Sequence, residues 1–562
     1  MFEKVIQDND LLKKKKHIVS QMYEERTQYE DTWKKLSKYI NPTRGRFQTD
    51  NRSTEGKRRD LYLLDPFPME AHGKCAAGLH SGLTSPSRPW FELGLADREL
   101  AGYHTVKMWL DDCKDIMMDI YAKSNIYNML LQIEAELAQF GTASALLLED
   151  FDNVIWARPY TCGEYAGDVD GRGRVIKFAR KLNMKAYQLV QEFGKENVSD
   201  SVLEAYNKDD MKTGFDVQML IEKNPDYNPD MFGVGNFPWR AYYFEDNSQG
   251  KFLRISGYHE CPFLMPRWTT VANAPYGTGC GHNALGNCMQ LQKLEEVNMQ
   301  LLETRAAPPM IVPTSVGKVK RLPNSQTMVA DPTLAQGIRP LYENTGSRED
   351  VMQVIQFKQS QISAAFFNDL FVMLANGDMP QMTAREVAER HEEKLLMLSP
   401  VLEQMHNEVL APLTKRVFEI CVRKELFPPA PQELQGMEGA INVEFVSLLA
   451  QAQKAVAAPA MERTLALVGN LAGANPDIMD NIDLDATVRK HAAYTGTPES
   501  VLRDKDEVEK IRKERQAQME QQAQLEQAAA MADPLKKGVE AARLMSEIQP
   551  NERSIGSLMG GV

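Results

Sequence analysis

Two segments with helical periodicity, residues 283–306 and 351–375, flank a stretch that cannot continue a helix. In each segment apolar residues recur every three or four positions, which is typical of an amphipathic helix. The stretch between them, residues 307–350, contains six prolines, and proline breaks helices. At the rise of an α-helix both segments would be about 35 Å long, so they predict an antiparallel helix pair with a knob at its tip. The apolar stripes of the pair include Leu285, Leu294, Leu301, Ile362, Phe366 and Leu370.

The remainder of the chain predicts an α+β protein that is mainly helical. Residues 1–282 combine amphipathic helices, one of them over 18–40, with short β-rich runs separated by Gly/Asp turns. Residues 383–445 have the pattern of a long helix, with a kink predicted at Pro412. Residues 446–562 are again helical and rich in Gln, Glu and Ala, and the final residues have the composition of a disordered tail.

The composition argues against several classes of protein. The chain has 562 residues, 43% hydrophobic and 25% charged, so we expect several folded units rather than disorder. Its formal net charge of −12 argues against tight binding of the whole protein to DNA phosphates. Seven scattered cysteines, never in a C-x-x-C pair, argue against a disulfide framework and a thiolate zinc site.

The sequence also bears on membranes and on targeting. No apolar stretch approaches the roughly 20 residues that cross a bilayer, and the first residues lack a signal-peptide core. We therefore expect no membrane partner and a cytoplasm-like compartment. The run Lys13–Lys16 is a dense basic cluster, which we interpret as a solvated helix face.

Motifs for catalysis and for cofactors are absent or weak. There is no G-x-x-x-x-G-K-[ST] phosphate loop, which excludes a motor ATPase of that type. Residues 78–82 place a histidine where a G-x-S-x-G motif needs serine. The glycines of 277–281 open a helix outside any doubly wound repeat, so we expect a close-packed turn there. Cys280, His282 and Cys288 lack the usual spacing of zinc ligands, and we predict no metal, no cofactor and no catalytic residue.

Four groups of short motifs follow one another along the chain. They are Trp33-x-x-Leu36-x-x-Tyr39-Ile40-x-Pro42; Ala76-Ala77-Gly78-Leu79 through Leu83-Thr84-Ser85-Pro86 to Pro89-Trp90-Phe91; Pro266-Arg267-Trp268 with Pro275-Tyr276-Gly277-x-Gly279-x-Gly281; and Phe366-Phe367-Asn368-Asp369-Leu370-Phe371 with Met382-Thr383-Ala384-x-Glu386-Val387 and Leu398-Ser399-Pro400. In this order they resemble the portal, or head-to-tail connector, family of short-tailed bacteriophages. The resemblance extends over most of the chain.

The resemblance implies a portal fold assembled into a dodecameric ring at one vertex of the capsid. Each part of the chain then has a place in that ring. In chain order these parts are the wing (1–282), a stem helix (283–306), the clip (307–350), a second stem helix (351–375), the tunnel loop (376–382), a long kinked helix that returns to the wing (383–445), and a crown with room for a C-terminal helical barrel (446–562).

The resemblance also implies a function and a set of partners. The ring would be the conduit for DNA packaging and ejection and the attachment point of the tail, within the virion. Its partners would be the terminase large subunit, a tail adaptor or tail tube protein, the major capsid and scaffolding proteins, and double-stranded DNA that passes without sequence-specific contacts. Clip residues placed to meet the terminase, the adaptor or DNA would be Lys318, Lys320, Arg321 and Arg339.

The tunnel loop would face the DNA. Asp378 carries its single charge, which is negative, so the loop has no lysine to hold phosphates, and this suits translocation. From the residues alone, an ordinary interhelical turn explains the loop, and a random fluctuation of surface charge explains the basic clip. The loop residues are Asn376, Gly377, Asp378, Met379, Pro380 and Gln381.

Two other functions compete with the conduit. An internal, scaffold-like virion protein is suggested by the Gln/Ala-rich tail, although the α+β first half disfavours it. A metal-dependent enzyme acting on nucleic acid could use Asp111, Asp112 and Asp115 as ligands. Those three residues lie on one amphipathic helix, where they are more simply its solvated face.

Overall fold

A computed structural model has the predicted class, mainly helical with antiparallel sheets. It forms two units, Met1–Thr464 and Leu465–Val562. The residues that the structure describes are 8–47, 63–86, 89–95, 97, 100, 103–210, 212–231, 236–246, 251–314, 333, 336, 339–340, 347–375, 398, 400–434, 441–444, 457–472, 482–495, 501–503, 507–524 and 543.

The helices are numbered in chain order over the described residues. They are α1 (Asn9–Tyr39), α2 (Phe67–Leu83), α3 (His104–Lys123), α4 (Ile126–Phe140), α5 (Ala186–Phe193), α6 (Asp200–Asn207), α7 (Cys280–Ala306), α8 (Arg348–Ala365), α9 (Asn368–Ala375), α10 (Ala411–Arg423), α11 (Ala457–Ala472), α12 (Leu484–Thr495) and α13 (507–524).

The strands are likewise numbered in chain order. They are β1 (Glu92–Leu95), β2 (Ser144–Asp150), β3 (Val154–Tyr160), β4 (Tyr165–Val169), β5 (Val175–Lys185), β6 (Gly214–Lys223), β7 (Trp239–Glu245), β8 (Arg254–Tyr258), β9 (Phe263–Leu264), β10 (Met310–Ile311), β11 (Arg339–Pro340) and β12 (Ile441–Glu444).

Helix α1 covers one face of a five-stranded antiparallel sheet with the order β4-β5-β6-β7-β8. The helix begins at Asn9, earlier than the predicted start at Ile18, because the Asp8 side chain accepts hydrogen bonds from two backbone amides of the first turn. The residues that join helix and sheet in one core are Leu12, Val19, Met22, Tyr23, Ala166, Ala179, Leu220, Tyr242, Phe244 and Phe252.

The lysine run in α1 is only partly the solvated face that the sequence predicted. Lys13 and Lys14 are exposed, but Lys15 is 8% exposed and forms an ion pair with Glu222 of β6. The Lys16 ammonium donates to the backbone oxygen of Asp246 at 2.7 Å. Two of the four lysines therefore fasten α1 to the sheet.

The other face of the sheet belongs to a larger core built around α4. A second sheet, with the order β3-β2-β9, contributes to this core, as do α2 and α3. Helix α4 is buried along most of its length and ends at Gly141, whose φ of 71° is the left-handed conformation that glycine adopts readily. A short pair of strands, β1 and β12, joins residues that are far apart in the chain.

The helix predicted over residues 351–375 is divided in the structure. Helix α8 ends at Ala365, Phe367 has a φ of 55°, and α9 begins at Asn368. Left-handed backbone at a phenylalanine is rare and ends a helix, so a continuous helix was the wrong expectation. Near the kink predicted at Pro412, a π-helical turn over His406–Leu410 precedes α10, which has this proline in its first turn.

Candidate functional site

Helices α7 and α8 form an antiparallel pair. The amide nitrogen of Asn298 lies 3.9 Å from the sulfur of Met352, and the Lys358 ammonium donates to Asn287 Oδ1 at 3.1 Å. Residue numbers rise along one helix as they fall along the other, which fixes the antiparallel direction. Helix α7 ends before Pro308, and α8 begins where the Ser347 hydroxyl accepts a hydrogen bond from the backbone amide of Asp350 at 3.4 Å.

The segment between the two helices is closed at its base. Strands β10 and β11 pair antiparallel, with Met310 opposite Pro340 and Ile311 opposite Arg339. Arg339 is exposed there. The other basic residues predicted to make clip contacts, Lys318, Lys320 and Arg321, lie outside the described residues.

A turn before α2 holds both helices of the pair through Asp65. The Gln292 amide of α7 donates to the Asp65 backbone oxygen at 2.8 Å and accepts from the Asp65 backbone amide at 3.1 Å. The Gln359 amide of α8 donates to the Asp65 carboxylate at 2.8 Å. Asp65 is itself buried, so these bonds satisfy polar groups that water does not reach.

The entrance to α7 is packed against the end of α4. A Cβ on Gly279 would lie 2.9 Å from the Gly141 Cα, closer than real Cβ atoms approach. The Gly279 amide donates to His282 Nδ1 at 3.1 Å. The glycines of 277–281 thus form the predicted close-packed turn, and burial lowers the pKa of His282.

The same entrance is held by an ion pair to the π-helical turn. The Arg267 backbone amide and Nε donate to the Glu408 carboxylate at 2.8 and 3.1 Å. The guanidinium also donates to the backbone oxygens of Ala274 and Gly173 at 3.0 and 2.7 Å. Arg267 is 4% exposed, and these acceptors offset the cost of removing its charge from water.

The predicted stem residues differ in how deeply their side chains are buried. Ile362, Phe366 and Leu370 are buried, while Leu285 and Leu294 are half-buried against the main core. Leu301, nearer the insert, is half-exposed. The predicted tunnel-loop residues, all within 376–382, lie outside the described residues.

Both helices of the pair also leave apolar side chains in solvent. The most exposed are Met299 of α7, at 53%, and Phe357 of α8, at 60%. Single exposed apolar residues are common on any protein surface, whereas contiguous apolar patches mark interaction sites. The exposed apolar residues of the pair are Met289, Val297, Met299, Val354 and Phe357.

Helix α4 carries buried titratable groups toward α2. Glu134 is fully buried, and its carboxylate lies 3.1 Å from His80 Nδ1 and accepts from the Thr84 hydroxyl at 3.2 Å. Burial raises the pKa of Glu134, while both partners lower it. His72 of α2 is also buried, with Nε2 2.8 Å from the Ala135 backbone oxygen, and burial lowers its pKa to about 4.

The acidic residues considered as metal ligands lie on the solvent side of α3. Asp111 accepts from the Lys114 ammonium at 2.7 Å, Asp115 lies 3.9 Å from the same nitrogen, and Asp112 is exposed. Over the described residues, no three His, Cys, Asp or Glu side chains are grouped as metal ligands would be. No helix in the described part of the chain is long and apolar enough to span a membrane.

Comparison with known proteins assigns this arrangement to a family. Residues 12–502 match the family described as bacteriophage head to tail connecting protein. The chain belongs to this family. The resemblance first drawn from short motifs is therefore confirmed. This connector chain is 37% identical over 537 residues to the probable portal protein of Bordetella phage BPP-1, with 95% of each chain covered. It is 35% identical over 542 residues to the portal protein of Salmonella phage epsilon15, again with 95% of each chain covered.

The main feature that sequence reasoning overlooked in this connector chain is α2. Helix α2 packs against α4, α8 and α9, and so it joins the wing core to the helix pair. Its signal was present as Ala71, Cys75, Leu79 and Leu83, apolar residues spaced by four and all buried.

Proposed function

We propose that this chain is the portal subunit of a phage capsid and that twelve copies form a ring through which DNA is packaged and ejected. The observation that carries the proposal is the family match over residues 12–502, together with two named portal relatives that are similar along 95% of the chain. In this proposal the protein is a passive structural conduit and not an enzyme.

The helix pair supports the ring. Met299 of α7 and Phe357 of α8 are exposed on different helices of one antiparallel pair. A contact from α7 of one copy to α8 of the next would be heterologous, and heterologous contacts that close on themselves give a ring. The pairs of all copies would then lie side by side as the stem that walls the channel.

The remaining parts of the chain take the roles expected of a portal. The insert 307–350 would be the clip, which docks the terminase large subunit during packaging and the tail adaptor or tail tube protein afterwards. The closure of this insert by β10 and β11 supports its description as a separate knob. The wing would contact the major capsid and scaffolding proteins at one vertex, and assembly would take place in the host cytoplasm.

The tunnel loop is proposed to follow α9. Helix α9 ends at Ala375, so the chain enters 376–382 directly from the helix that continues the pair. One negative charge and no lysine in this segment would leave the DNA backbone free to slide. The double-stranded DNA would be contacted without regard to its sequence.

Imaging and sedimentation of the purified full-length protein test the proposal. We expect ring-shaped particles with a central hole in negative stain and a sedimenting species many times heavier than the 63.5 kDa subunit. A scaffold-like protein would instead give monomers or small oligomers. Protein that remained monomeric under all assembly conditions, or that hydrolysed ATP without other proteins, would overturn the proposal.

A further inference from the structure

Gly78 lies where α2 meets α9. A Cβ built on this glycine would overlap the ring of Phe371 and would lie 2.6 Å from the Phe371 Cβ. The overlap includes the first atoms of the phenylalanine side chain, which cannot move unless the α9 backbone moves. Position 78 therefore allows α9 to approach α2 only because it has no side chain.

Helix α9 depends on this contact because it is not a continuation of α8. The left-handed backbone at Phe367 separates the two helices. An eight-residue helix has little stability of its own in water, so tertiary packing must hold it. Its described side chains supply that packing, since Leu370 is 1% exposed and Phe371 is partly buried against the main core.

The turn that precedes α9 rests on the same helix. Phe366 is fully buried, and its ring meets the His72 ring of α2 edge-on, with 6.1 Å between centroids. His72 and Gly78 are six residues apart on α2, so α2 contacts both the break and the first turn of α9. Two points of contact fix the direction of a short helix as well as its position.

We propose that Gly78 is a positioning residue: by admitting Phe371 it sets the direction in which α9 delivers the chain, at Ala375, to the segment proposed as the tunnel loop. The consequence for DNA rests on the proposed function, whereas the seating of α9 on α2 does not. This assigns a role to the glycine of the Ala76-Ala77-Gly78-Leu79 motif, which the conduit proposal leaves without one.

Helix α2 contains two matched controls for this glycine. Gly73 and Gly82 lie in the same helix, and a Cβ at either position would meet nothing within 4 Å among the described residues. Alanine at these two sites should only strengthen the helix, because alanine has the higher helix propensity. Alanine at position 78 gains the same propensity but must displace α9.

The first measurement is hydrogen exchange on the full-length protein, read in the peptide that covers α9. For Gly78→Ala we expect exchange in this peptide to be about tenfold faster, and for Gly73→Ala and Gly82→Ala we expect no change. Phe371→Ala removes the contact between α9 and Gly78 without introducing a clash, and it should also speed exchange in α9. Phe151→Ala, which truncates an exposed phenylalanine between β2 and β3, should not. Unchanged exchange in both Gly78→Ala and Phe371→Ala would overturn the inference.

The second measurement is DNA packaging and retention by particles that contain each variant. Gly78→Ala should leave the sedimentation of the assembled protein unchanged and reduce the packaged or retained DNA about tenfold, whereas Gly82→Ala should match the unmodified protein. Faster exchange in α9 with normal packaging would support the role of Gly78 in positioning α9 on α2. It would overturn the assignment of 376–382 as the tunnel loop. The two failures are therefore distinguishable.

Discussion

A single ion pair, between Lys15 and Glu222, holds α1 on the sheet. Both side chains are at most 10% exposed, and the Lys15 ammonium also lies 4.8 Å from the centre of the Tyr242 ring. A buried pair contributes little compared with apolar residues in the same space, but a partner left alone is costly. The pair therefore makes the position of α1 sensitive to single substitutions.

Lys15→Ala should lower the free energy of unfolding by about 3–5 kcal/mol, because it leaves the Glu222 carboxylate buried without its cation. Lys14→Ala, one position away and exposed, should change it by less than about 0.5 kcal/mol. The double variant Lys15→Met, Glu222→Leu should recover most of the loss. Thermal unfolding of the three variants measures this, and equal effects at positions 14 and 15 would contradict it.

His72 should make the protein less stable in mild acid. Its pKa is lowered to about 4 in the folded protein, against 6.5 in an unfolded chain, so below pH 6.5 the unfolded chain binds a proton that the folded protein refuses. Stability is therefore lost as the pH falls from 6.5 toward 4, by at most about 1.4 kcal/mol per pH unit for this group.

The comparison of His72→Gln with the unmodified protein isolates that contribution. The melting temperature of the variant should decline less steeply between about pH 7 and about pH 5, whatever its value at neutral pH. His17→Gln, at an exposed site on α1, should keep the original slope. If the melting temperatures of all three proteins declined equally steeply as the pH fell, His72 would not titrate in this way.

At the scale of elements, the sequence predicts the helices and helix ends that neighbouring residues determine. Helix α7 is evident from a stripe that ends before Pro308, and the end of α4 from Gly141. No glycine or proline at residue 367 indicates the break between α8 and α9. The break accompanies the packing of α9 on α2, which joins residues far apart in the chain. Similarly, the burial of Lys15 depends on Glu222, 207 residues away, which no local pattern can indicate.

The glycine turn before α7 gives an element-scale prediction. Gly279→Ala should destabilise the protein by about 2 kcal/mol, because the new Cβ would meet the backbone of α4 and Gly141, which cannot move aside. Gly286→Ala, inside α7 itself, meets nothing within 4 Å among the described residues and should be neutral or stabilising. Thermal unfolding distinguishes them, and a neutral Gly279→Ala would contradict the packing argument.

The proposed tunnel loop can be tested by deleting residues 377–381. The described helices would remain intact, so ring assembly should be unchanged by sedimentation and imaging. DNA packaging or retention should fall by about tenfold or more, because the segment expected to face DNA is missing. Normal packaging by rings that lack these residues would show that the loop is an ordinary interhelical turn.

For the whole molecule, assembly should depend on the helix pair. In the proposed ring, Phe357 is covered by a neighbouring copy, and Phe357→Glu would place a charge in that contact. We expect the variant to keep the circular dichroism of the unmodified protein and to sediment as a much smaller species. Met231→Glu, in an exposed turn at 64%, is the control and should assemble normally. Full-sized rings of Phe357→Glu would exclude α8 from the subunit contact.

The pairing of β10 with β11 has a consequence for the diversity of such proteins. Two residues on each side, Met310–Ile311 and Arg339–Pro340, hold the two sides of the insert together near α7 and α8. In the proposed ring, residues added or replaced beyond this strand pair would change the surface of the insert without separating the two helices. Related phages would then differ in the proteins that they dock while the channel keeps its diameter.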